Sequence, residues 1–399
     1  MVARKSGRNN EYDIIISGGG CAGLSLAWHL YRYGPADRSI LLIEPEAESQ
    51  NDRTWCYWNT RVVPFHHLRR HSWEAISLYT TDKHVTCAVS PVPGYHALES
   101  KTYRDWIHQD IRNHPYLEVR HEKSKSWNET ADKVILQTDS GEATGDILFQ
   151  NHTAGRDFFA ESKFGIRQHF IGWEIEVDTP LFDPARAVFM DFRVSQNSGV
   201  AFMYVLPWSD KSALFEYTFF TQKTEDDSVY EDGIREYLSE HYNLNDSDYR
   251  ITRHEQGVIP MVENAFNRGT KRVRPIGIIS GAAKPSTGYA FSRIQKQCRF
   301  LADSMKYHRI PDFYPNTACR YRMYDIIMLH IIKNKPEKAV EAFGKLFANV
   351  STAKLLRFLD EETGISEELQ ILNSVPRAAF ASAAIKELPM LMKERLVRR

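Results

Sequence analysis

Apolar and polar positions alternate with a period of two along much of residues 165–220. The alternation is clearest in GWEIEVD (172–178) and SALFEYTFF (212–220), and two further strand-like segments, ARAVFMDF and VAFMYVLPW, lie between them. A period of two is typical of strands that bury one face. The pattern predicts an antiparallel sheet, which we expect to form the floor of a cavity.

Other patterns flank this sheet on both sides. A β-branched run at Ile14–Ile16 predicts a buried parallel strand, helical spacing follows it up to Gly34, and Ile40–Ile43 predict a second strand. The acidic stretch 224–242 predicts an exposed helix on the rim of the sheet. From residue 311 onward the pattern is mostly helical, with breaks at Pro336, Gly364 and Pro376.

One side chain does not fit the apolar strand SALFEYTFF, namely Glu216. A carboxylate is costly to bury without a partner, and neither Lys, Arg nor His occurs within the four residues that follow it. Burial would instead favour the neutral acid, with a pKa raised by as much as roughly 3–5 units. The position therefore predicts a protonated carboxyl with a chemical task.

A glycine fingerprint lies between the first predicted strand and the first predicted helix. Gly18, Gly20 and Gly23 form G-x-G-x-x-G, with Ala22 inside it, and Glu44 ends the second strand 21 residues after Gly23. Such glycines let a pyrophosphate approach the helix N-terminus, and an acid at that distance accepts hydrogen bonds from a ribose diol. The element predicts a dinucleotide site but does not separate FAD from NAD.

A second cluster of small residues occurs in IGIISGAAKPSTGYAFS, residues 276–292. We interpret it as an apolar strand, a turn and a helix from Ser292 to Tyr307, with free backbone N–H groups in between. An ordinary turn is the alternative. If the cluster contacts a nucleotide, the candidate residues are Gly281, Pro285, Thr287, Gly288 and Tyr289.

Composition and charge narrow the class of protein. The 399 residues carry 51 Lys+Arg and 51 Asp+Glu, which predicts no nucleic-acid partner. The five cysteines are scattered and favour a reducing compartment over a disulfide scaffold. No apolar segment has the length of a signal peptide core or a membrane span, so we predict a cytoplasmic protein.

Several longer motifs resemble the soluble bacterial type of lycopene cyclase and its plant relatives. They extend along most of the chain: GGGCAGLSLA, NDRTWCYW (51–58), GWEIE, LFEYT (214–218), KPSTGYAF (284–291), RYRMYDIIML and LRFLDEET. Ser280–Gly281 replaces the late Gly-Asp of flavoproteins in general, a departure that the cyclases tend to share.

The resemblance implies an α/β fold of the aromatic-hydroxylase-like flavoprotein class. We expect a discontinuous Rossmann-type FAD-binding domain, an antiparallel substrate-binding sheet domain and a C-terminal helical cap. The predicted boundaries are 1–75, 100–160 and 265–310 for the FAD-binding domain, 76–99 and 161–264 for the sheet domain, and 311–399 for the cap.

The resemblance also implies a reaction, the redox-neutral closure of the linear ends of lycopene, through γ-carotene, to β-carotene. Its essential acid would be Glu216, although Tyr217 stands where the family has a second acid. Aromatic side chains would line the cation site, and the candidates are Trp55, Tyr57, Tyr217 and Phe219. Whether one or both ends close, and whether the ring is β or ε, stays open.

The implied cofactor is FAD, working in its reduced form beside the cation, with NAD(P)H as the reductant. Arg104, on a predicted helix, could contact an FAD phosphate or form a surface salt bridge. Lycopene is insoluble in water, so we expect peripheral contact with a membrane surface. The C-terminal helices are either a cap packed on the FAD domain or amphipathic helices lying on that membrane.

Two other functions remain open at this point. The scaffold would also serve an FAD-dependent monooxygenase acting on an apolar or aromatic substrate, or a lipid-binding protein that retains FAD structurally. We predict no metal site, because the pair His67 and His71 has arginines and no carboxylate beside it. We interpret the acidic run Asp360–Glu362 as a solvated helix end.

Overall fold

A computed structural model of the chain supplies the coordinates. It describes residues 10–46, 48, 50–58, 61–89, 94–151, 157–263, 269–307 and 318–397. The side chains of residues 393–399, which the sequence marks as basic, lie outside the described residues.

Strands dominate the first two thirds of the chain and helices the last third. The strands are β1 Glu11–Ser17, β2 Ile40–Ile43, β3 Thr54–Tyr57, β4 His71–Trp73, β5 Ala75–Tyr79, β6 His84–Ala88, β7 Tyr95–Glu99, β8 Leu117–Arg120, β9 Ser124–Glu129, β10 Val134–Thr138, β11 Glu142–Gln150, β12 Ile166–Val177, β13 Arg186–Asp191, β14 Val200–Pro207, β15 Ser212–Thr221, β16 Tyr249–Met261 and β17 Val273–Pro275. The helices are α1 Cys21–Tyr33, α2 Ser100–Ile111, α3 Phe158–Glu161, α4 Asp227–Tyr242, α5 Phe291–Lys306, α6 Cys319–Asn334, α7 Pro336–Asn349, α8 Thr352–Leu359, α9 Ile365–Asn373 and α10 Arg377–Val397.

The first sheet has the strand order β8-β2-β1-β11-β10-β9, with β17 beside β11. Strand β1 runs parallel to β2 and β11, which is the arrangement of a strand–helix–strand nucleotide fold. Helix α1 packs against α5, and the thiol of Cys298 lies 3.5 Å from the carbonyl oxygen of Ala22. The two glycine-rich segments therefore meet in space although they are far apart in sequence.

The second sheet has the strand order β16-β12-β15-β14-β13-β5-β6. Its pairs are antiparallel except β13 with β5, which is parallel, so the predicted antiparallel sheet is a mixed one. Strand β7 joins β3 and β4 in a separate small sheet. That sheet lies between the second sheet and the helices of the nucleotide fold, since Thr54 of β3 bonds Glu255 of β16 and Trp55 stacks on Phe291 of α5.

The two faces of the second sheet are covered by different elements. Helix α4 packs on one face and buries Tyr230, Ile234, Tyr237 and Leu238, so it is not the exposed rim helix that its acidic sequence predicts. On the other face, Phe202 and Phe220 share a core cluster with Phe343 and Phe347 of α7. The C-terminal helices thus pack mainly on this sheet rather than on the nucleotide fold.

Ion pairs join the same helices to the second glycine-rich segment. Lys284 pairs with Asp325 of α6 at 3.0 Å and with Glu361 at 3.3 Å. Glu361 also binds Arg293, and Asp360 accepts a hydrogen bond from the indole of Trp58. The prediction of a solvated helix end at 360–362 is therefore wrong, because these carboxyls hold the cap to α5 and β3. No helix among the described residues is long and apolar enough to cross a membrane.

Candidate active site

Glu216 lies in the middle of β15 on the face of the sheet that α7 and α8 cover. Its direct neighbours in the register are Tyr204 on β14 and Gly172 on β12. The residue is 8% exposed and lines a cavity. The predicted buried acid is therefore present, and it faces a cavity rather than bulk solvent.

The cavity has a volume of about 450 Å³ and is bounded by the second sheet, by β3, by the loop before α5 and by α7 and α8. Such a volume suits an apolar small-molecule site. The sheet contributes apolar and aromatic side chains around the acid, and the helices close the opposite side. The principal lining residues are Trp55, Cys56, Phe170, Phe189, Phe202, Tyr204, Phe220, Tyr289, Phe343 and Phe347.

The carboxyl of Glu216 makes no hydrogen bond or ion pair within the described parts of the chain. Burial raises its pKa well above the usual range, and the nearby Glu255 carboxylate raises it further, whereas Arg253 and Arg53 oppose the increase. Burial and the neighbouring carboxylate thus both favour the neutral, protonated form.

Glu255 was not identified from the sequence, yet it lies in the same row of the sheet. Gly172 is the register partner of both Glu216 and Glu255, so all three residues face the same side. A Cβ atom at Gly172 would lie 2.7 Å from Cγ of Glu216. The Glu216 side chain therefore lies over the glycine, and this close approach requires a residue without a side chain.

Glu255 is held by donors on every side. Its oxygens accept hydrogen bonds from the backbone N–H of Thr54 at 2.6 Å, from the Thr54 hydroxyl at 2.8 Å and from Arg253 at 2.7 Å. Arg253 in turn pairs with Glu174 at 2.9 Å. A carboxyl that only accepts hydrogen bonds, one of them from a guanidinium, is in its ionised form.

Neutral hydroxyl and thiol groups flank Glu216 on its other side. The hydroxyls of Tyr95 and Tyr289 lie 2.9 Å apart, and Tyr95 also bonds the hydroxyl of Tyr204. Burial raises the pKa of Tyr204 far above its usual range and that of the Cys56 thiol to about 12. These groups stay uncharged at neutral pH and leave the acid without a counter-ion.

Trp55, one of the four aromatic residues predicted to line the site, does line the cavity. Its ring lines the cavity and stacks on Phe291, with centroids 5.3 Å apart and planes 12° apart. Tyr57 is buried next to Phe291, hydrogen-bonded to His66, and lines only a small neighbouring void. The prediction for Tyr57 is therefore wrong, because its side chain belongs to the core between β3 and α5.

Tyr217 and Phe219 were also predicted to line the site, and this prediction is wrong. Alternation along β15 turns both rings to the opposite face, where they pack with Tyr230 of α4 in a separate core cluster. Thr218 and Phe220 take the cavity-facing positions instead. Position 217 therefore could not present a second acid to the cavity.

The first glycine loop has the geometry of a dinucleotide site. Gly18 has φ +102°, and a Cβ at Gly23 would lie 1.8 Å from the carbonyl oxygen of Gly18, so both positions require glycine. Gly20 caps α1 without a side-chain hydrogen bond, which leaves the N–H groups of the first turn available. The Glu44 carboxylate lies beside this loop, against Gly19.

The second glycine-rich segment differs from its prediction. Residues Gly277–Ser280 form a short 3-10 helix that ends at Gly281, and the strand lies earlier, at β17. Thr287, Gly288 and Tyr289 line the cavity, whereas Gly281 and Pro285 do not. The predicted helix follows as α5.

Arg104 lies on α2 and reaches the nucleotide end of the cavity, beside Cys21. It is near Asp52 at 3.4 Å and Glu46 at 3.6 Å, and its buried Nε has no hydrogen-bond partner among the described residues. The buried Thr287 hydroxyl likewise lacks one. Unpaired buried donors are costly, so both atoms fit a bound ligand such as a flavin dinucleotide at this end. Within the described ranges, no group of His, Cys, Asp and Glu side chains is arranged to hold a metal ion.

Solved structures with the same fold define the class of protein. A flavoprotein/dehydrogenase from Cytophaga hutchinsonii superposes with a TM-score of 0.64 at 8% identity and covers 94% of this chain and 100% of its own. A p-nitrophenol 4-monooxygenase from Pseudomonas putida superposes with a TM-score of 0.59 at 13% identity, covering 93% and 98%. The fold is that of the flavoproteins built like aromatic hydroxylases.

Sequence comparison then gives the family. The model of the lycopene cyclase protein family matches residues 13–385, so the chain belongs to the lycopene cyclase family, as its motifs predicted. A lycopene beta-cyclase from Pseudescherichia vulneris is 24% identical over 314 residues, which is 75% of each chain. Membership makes the chain an enzyme of the isomerase-type cyclases.

Proposed function

We propose that the protein closes the linear ends of lycopene to the β-rings of β-carotene, with Glu216 as the proton donor. The observation that carries the proposal is a buried carboxyl without a polar partner that faces an apolar cavity, in a chain of the lycopene cyclase family. The β type of ring is supported by the name of the relative described above.

The chemistry needs an acid and no change of oxidation state. The Glu216 proton adds to the terminal double bond of the polyene, and the neighbouring double bond attacks the tertiary cation, which forms the ring bond. A ring proton then leaves to restore a double bond, and Glu216, now a carboxylate, would be the base that takes it. The donor is thereby regenerated, and atoms and electrons balance.

The apolar lining protects the cation. Phe202 and Phe170 lie on either side of Thr218, in the row of the sheet next to the acid, and with Phe220 they line the cavity. These rings would exclude water that would otherwise trap the cation as an alcohol. Their ring faces stabilise positive charge by roughly 0.5–2 kcal/mol each. Trp55 supplies a further ring face at the nucleotide end.

The cofactor that fits this site is FAD. The free N–H groups at the start of α1 and the guanidinium of Arg104 would hold its phosphates, and Glu44 would hold a ribose. Thr287 would hydrogen-bond its ring system. When bound in reduced form, the flavin supplies fixed negative charge beside the cation, and NAD(P)H is the reductant.

Peripheral contact with a membrane completes the proposal, because the substrate resides in lipid. The outer faces of α9 and α10 carry strongly exposed apolar side chains, namely Ile365, Leu369, Ile385 and Leu388. Exposed apolar residues that cluster on one surface are typical of contact with lipid or protein. The purified protein should float with liposomes at low salt, and a protein that stays at the bottom of the gradient contradicts this part of the proposal.

The decisive experiment is anaerobic. With its flavin chemically reduced, the wild-type protein should convert lycopene in detergent or liposomes without oxygen, and Glu216→Gln should lower the rate at least about a thousandfold while retaining bound flavin. Glu176→Gln, at an exposed position near the end of β12 where the carboxylate pairs with Arg250, is the matched control and should keep wild-type activity. Oxygen consumption in step with product would instead identify a monooxygenase, and cyclisation by Glu216→Gln at the wild-type rate would exclude this acid.

A further inference from the structure

A second cavity, of about 340 Å³, lies among the C-terminal helices and has no part in the proton transfer. Its walls come from α6, α7, α8, α9 and α10, and most of the lining side chains are apolar. The main contributors are Met323, Ile327, Phe358, Leu372, Phe380 and Ala384. Its one buried carboxyl, Asp325, is already engaged by Lys284 and by the Ser286 hydroxyl at 2.6 Å.

This cavity adjoins the one that contains Glu216. Thr287, Phe343, Leu346 and Leu359 line both of them, so these side chains stand between the two spaces. The polar ends of the first cavity, at Arg104 and Glu255, lie on sides that the second cavity does not share. A long apolar ligand that has one end at Glu216 would therefore extend past Phe343 and Leu359 into the second cavity.

We propose that this second cavity binds the half of the linear polyene that is not reacting. The proposal rests on the proposed function, since it concerns the same substrate. Only one end of a linear polyene can lie at Glu216 at a time, and the first cavity must also admit a flavin ring system. The rest of the chain needs apolar space of its own, and the second cavity provides it.

The position of the cavity also suits a substrate that arrives from lipid. Leu372 and Ala384 line it from α9 and α10, and the same two helices carry Leu369 and Ile385 exposed on their outer faces. The cavity therefore lies between the proposed lipid-contacting surface and the acid. When the first reacting end binds at Glu216, the other end of the polyene would leave that surface.

The test fills the cavity and compares two substrates. Ala384→Trp, with the milder Ala384→Leu, should raise KM for lycopene at least about tenfold, while a truncated polyene that keeps one reacting end should be cyclised at the wild-type rate. Ala378→Trp places the same ring at an exposed position of α10 that does not line the cavity, and it should change neither substrate. The Glu216→Gln protein allows lycopene binding to be measured without turnover, by quenching of tryptophan fluorescence. The double variant Glu216→Gln/Ala384→Leu should bind lycopene more weakly than Glu216→Gln alone.

The outcomes separate this proposal from the function itself. If wild-type protein converts neither substrate, the proposed function fails. If wild-type protein converts both and the Ala384 variants lose both equally, or lose neither, the second cavity does not hold the remote half of the substrate.

The family motif has a second acid directly after the first, and in this chain Tyr217 occupies that position. Glu255 lies on β16 and faces the cavity side of the sheet. Gly172 of the intervening strand β12 is the register partner of both Glu255 and Glu216. Its hydrogen bonds with Thr54 and Arg253 fix the carboxylate in place. It is therefore a rigid negative charge beside a carboxyl that the reaction needs in protonated form.

We infer that Glu255 is a positioning residue that opposes the ionisation of Glu216 and so keeps the proton available for the substrate. After the proton has left, the same two carboxylates face the cation and favour it electrostatically. The charged groups that oppose this effect are Arg53 and Arg253. The other titratable groups facing Glu216 are neutral, namely Cys56, Tyr204 and Tyr289.

The pH profile of Glu255→Gln tests this role. Cyclisation requires the protonated acid, so the rate falls as the pH rises through the pKa of Glu216. Removal of the neighbouring negative charge lowers that pKa, and the falling limb should move to lower pH by about one unit or more. Glu255→Asp restores the charge and should move the limb back toward its wild-type position.

Glu174→Gln is the control for disruption of the same network, because it also removes a partner of Arg253 but lies in the next row of the sheet. It should leave the falling limb in place. If the Glu255→Gln protein binds flavin and loses activity while the falling limb of its pH profile stays in place, the role of Glu255 is structural. This result would overturn the inference.

Discussion

Two buried carboxyls in this molecule are surrounded in opposite ways. Glu216 lies in the second sheet at 8% exposure, and Glu387 lies on α10 at 1% exposure. Glu387 binds the Lys163 ammonium and the ring of His330, the latter at 2.7 Å. Glu216 has Tyr204 on one side of it in the sheet and Gly172 on the other.

The partners decide which form of each acid is stable. Burial alone would raise the pKa of Glu387, but the hydrogen bonds from Lys163 and His330 bring it below its usual range. At Glu216, burial and the neighbouring Glu255 both raise the pKa. Similar exposure thus gives an ionised acid in one region and a protonated acid in the other.

The comparison distinguishes structural from chemical use of a buried acid. The helical region pairs its buried carboxyls, as Glu368 also shows with Arg320 at 2.9 Å. In the sheet, Glu174 and Glu255 are paired in the same manner, and Glu216 is the exception. An acid that is buried without such a partner reduces stability, and a reaction that begins with a proton transfer from it gives a reason for it to persist.

The largest effect on stability is expected at the paired acid. Glu387→Gln leaves Lys163 and His330 without their anion, and it should lower the free energy of unfolding by about 2 kcal/mol, less than for a fully buried pair because Lys163 is half-exposed and can turn toward water. Urea unfolding measures this change. Cyclisation by the folded protein should stay within about twofold of wild type, since Glu387, Lys163 and His330 line neither cavity.

Glu337→Gln, at an exposed position in the first turn of α7, is the matched control and should unfold like the wild type. If Glu387→Gln is as stable as the wild type, buried pairing is not what separates the two regions.

A smaller effect, and one on activity instead of stability, is expected at Gly172. Gly172→Ala places a methyl group 2.7 Å from Cγ of Glu216, so the acid must move away from its position over the glycine. We expect the rate of cyclisation to fall about tenfold or more, because small displacements of a reacting group are costly. Gly257→Ala crowds the ring of Phe170 to the same extent in the next row, and it should lower the rate less.

Sequence patterns predicted the main architecture because each part of it is local. The G-x-G-x-x-G loop, the strand that ends at Glu44 and the alternation around Glu216 all follow from neighbouring residues. The family resemblance added the role of Glu216 and the reaction. These elements lie where they were expected.

Long-range register could not be predicted in the same way. Glu255 occurs in an alternating strand, RHEQGVIPM, but only the pairing of β16 with β12 places it beside Gly172. Likewise, Asp360 is bound by Trp58, and Glu361 by Lys284 and Arg293, all more than sixty residues away in the chain. A charge that looks solvated in sequence becomes a structural contact only once its partner is known.

The smallest effect is expected at Tyr217, and here the alternation already contained the answer. Residue 217 follows residue 216 in a strand, so its side chain must point to the opposite face, toward α4 and away from the cavity. Tyr217→Phe removes one hydrogen bond, to the carbonyl oxygen of Ser195 at 3.3 Å, and should leave cyclisation within about twofold of wild type with a loss of stability of about 1 kcal/mol or less. Steady-state rates and urea unfolding measure both quantities. A large loss of activity in folded Tyr217→Phe would mean that the hydroxyl acts across the sheet on Glu216, and the assignment of the two faces to separate tasks would then be wrong.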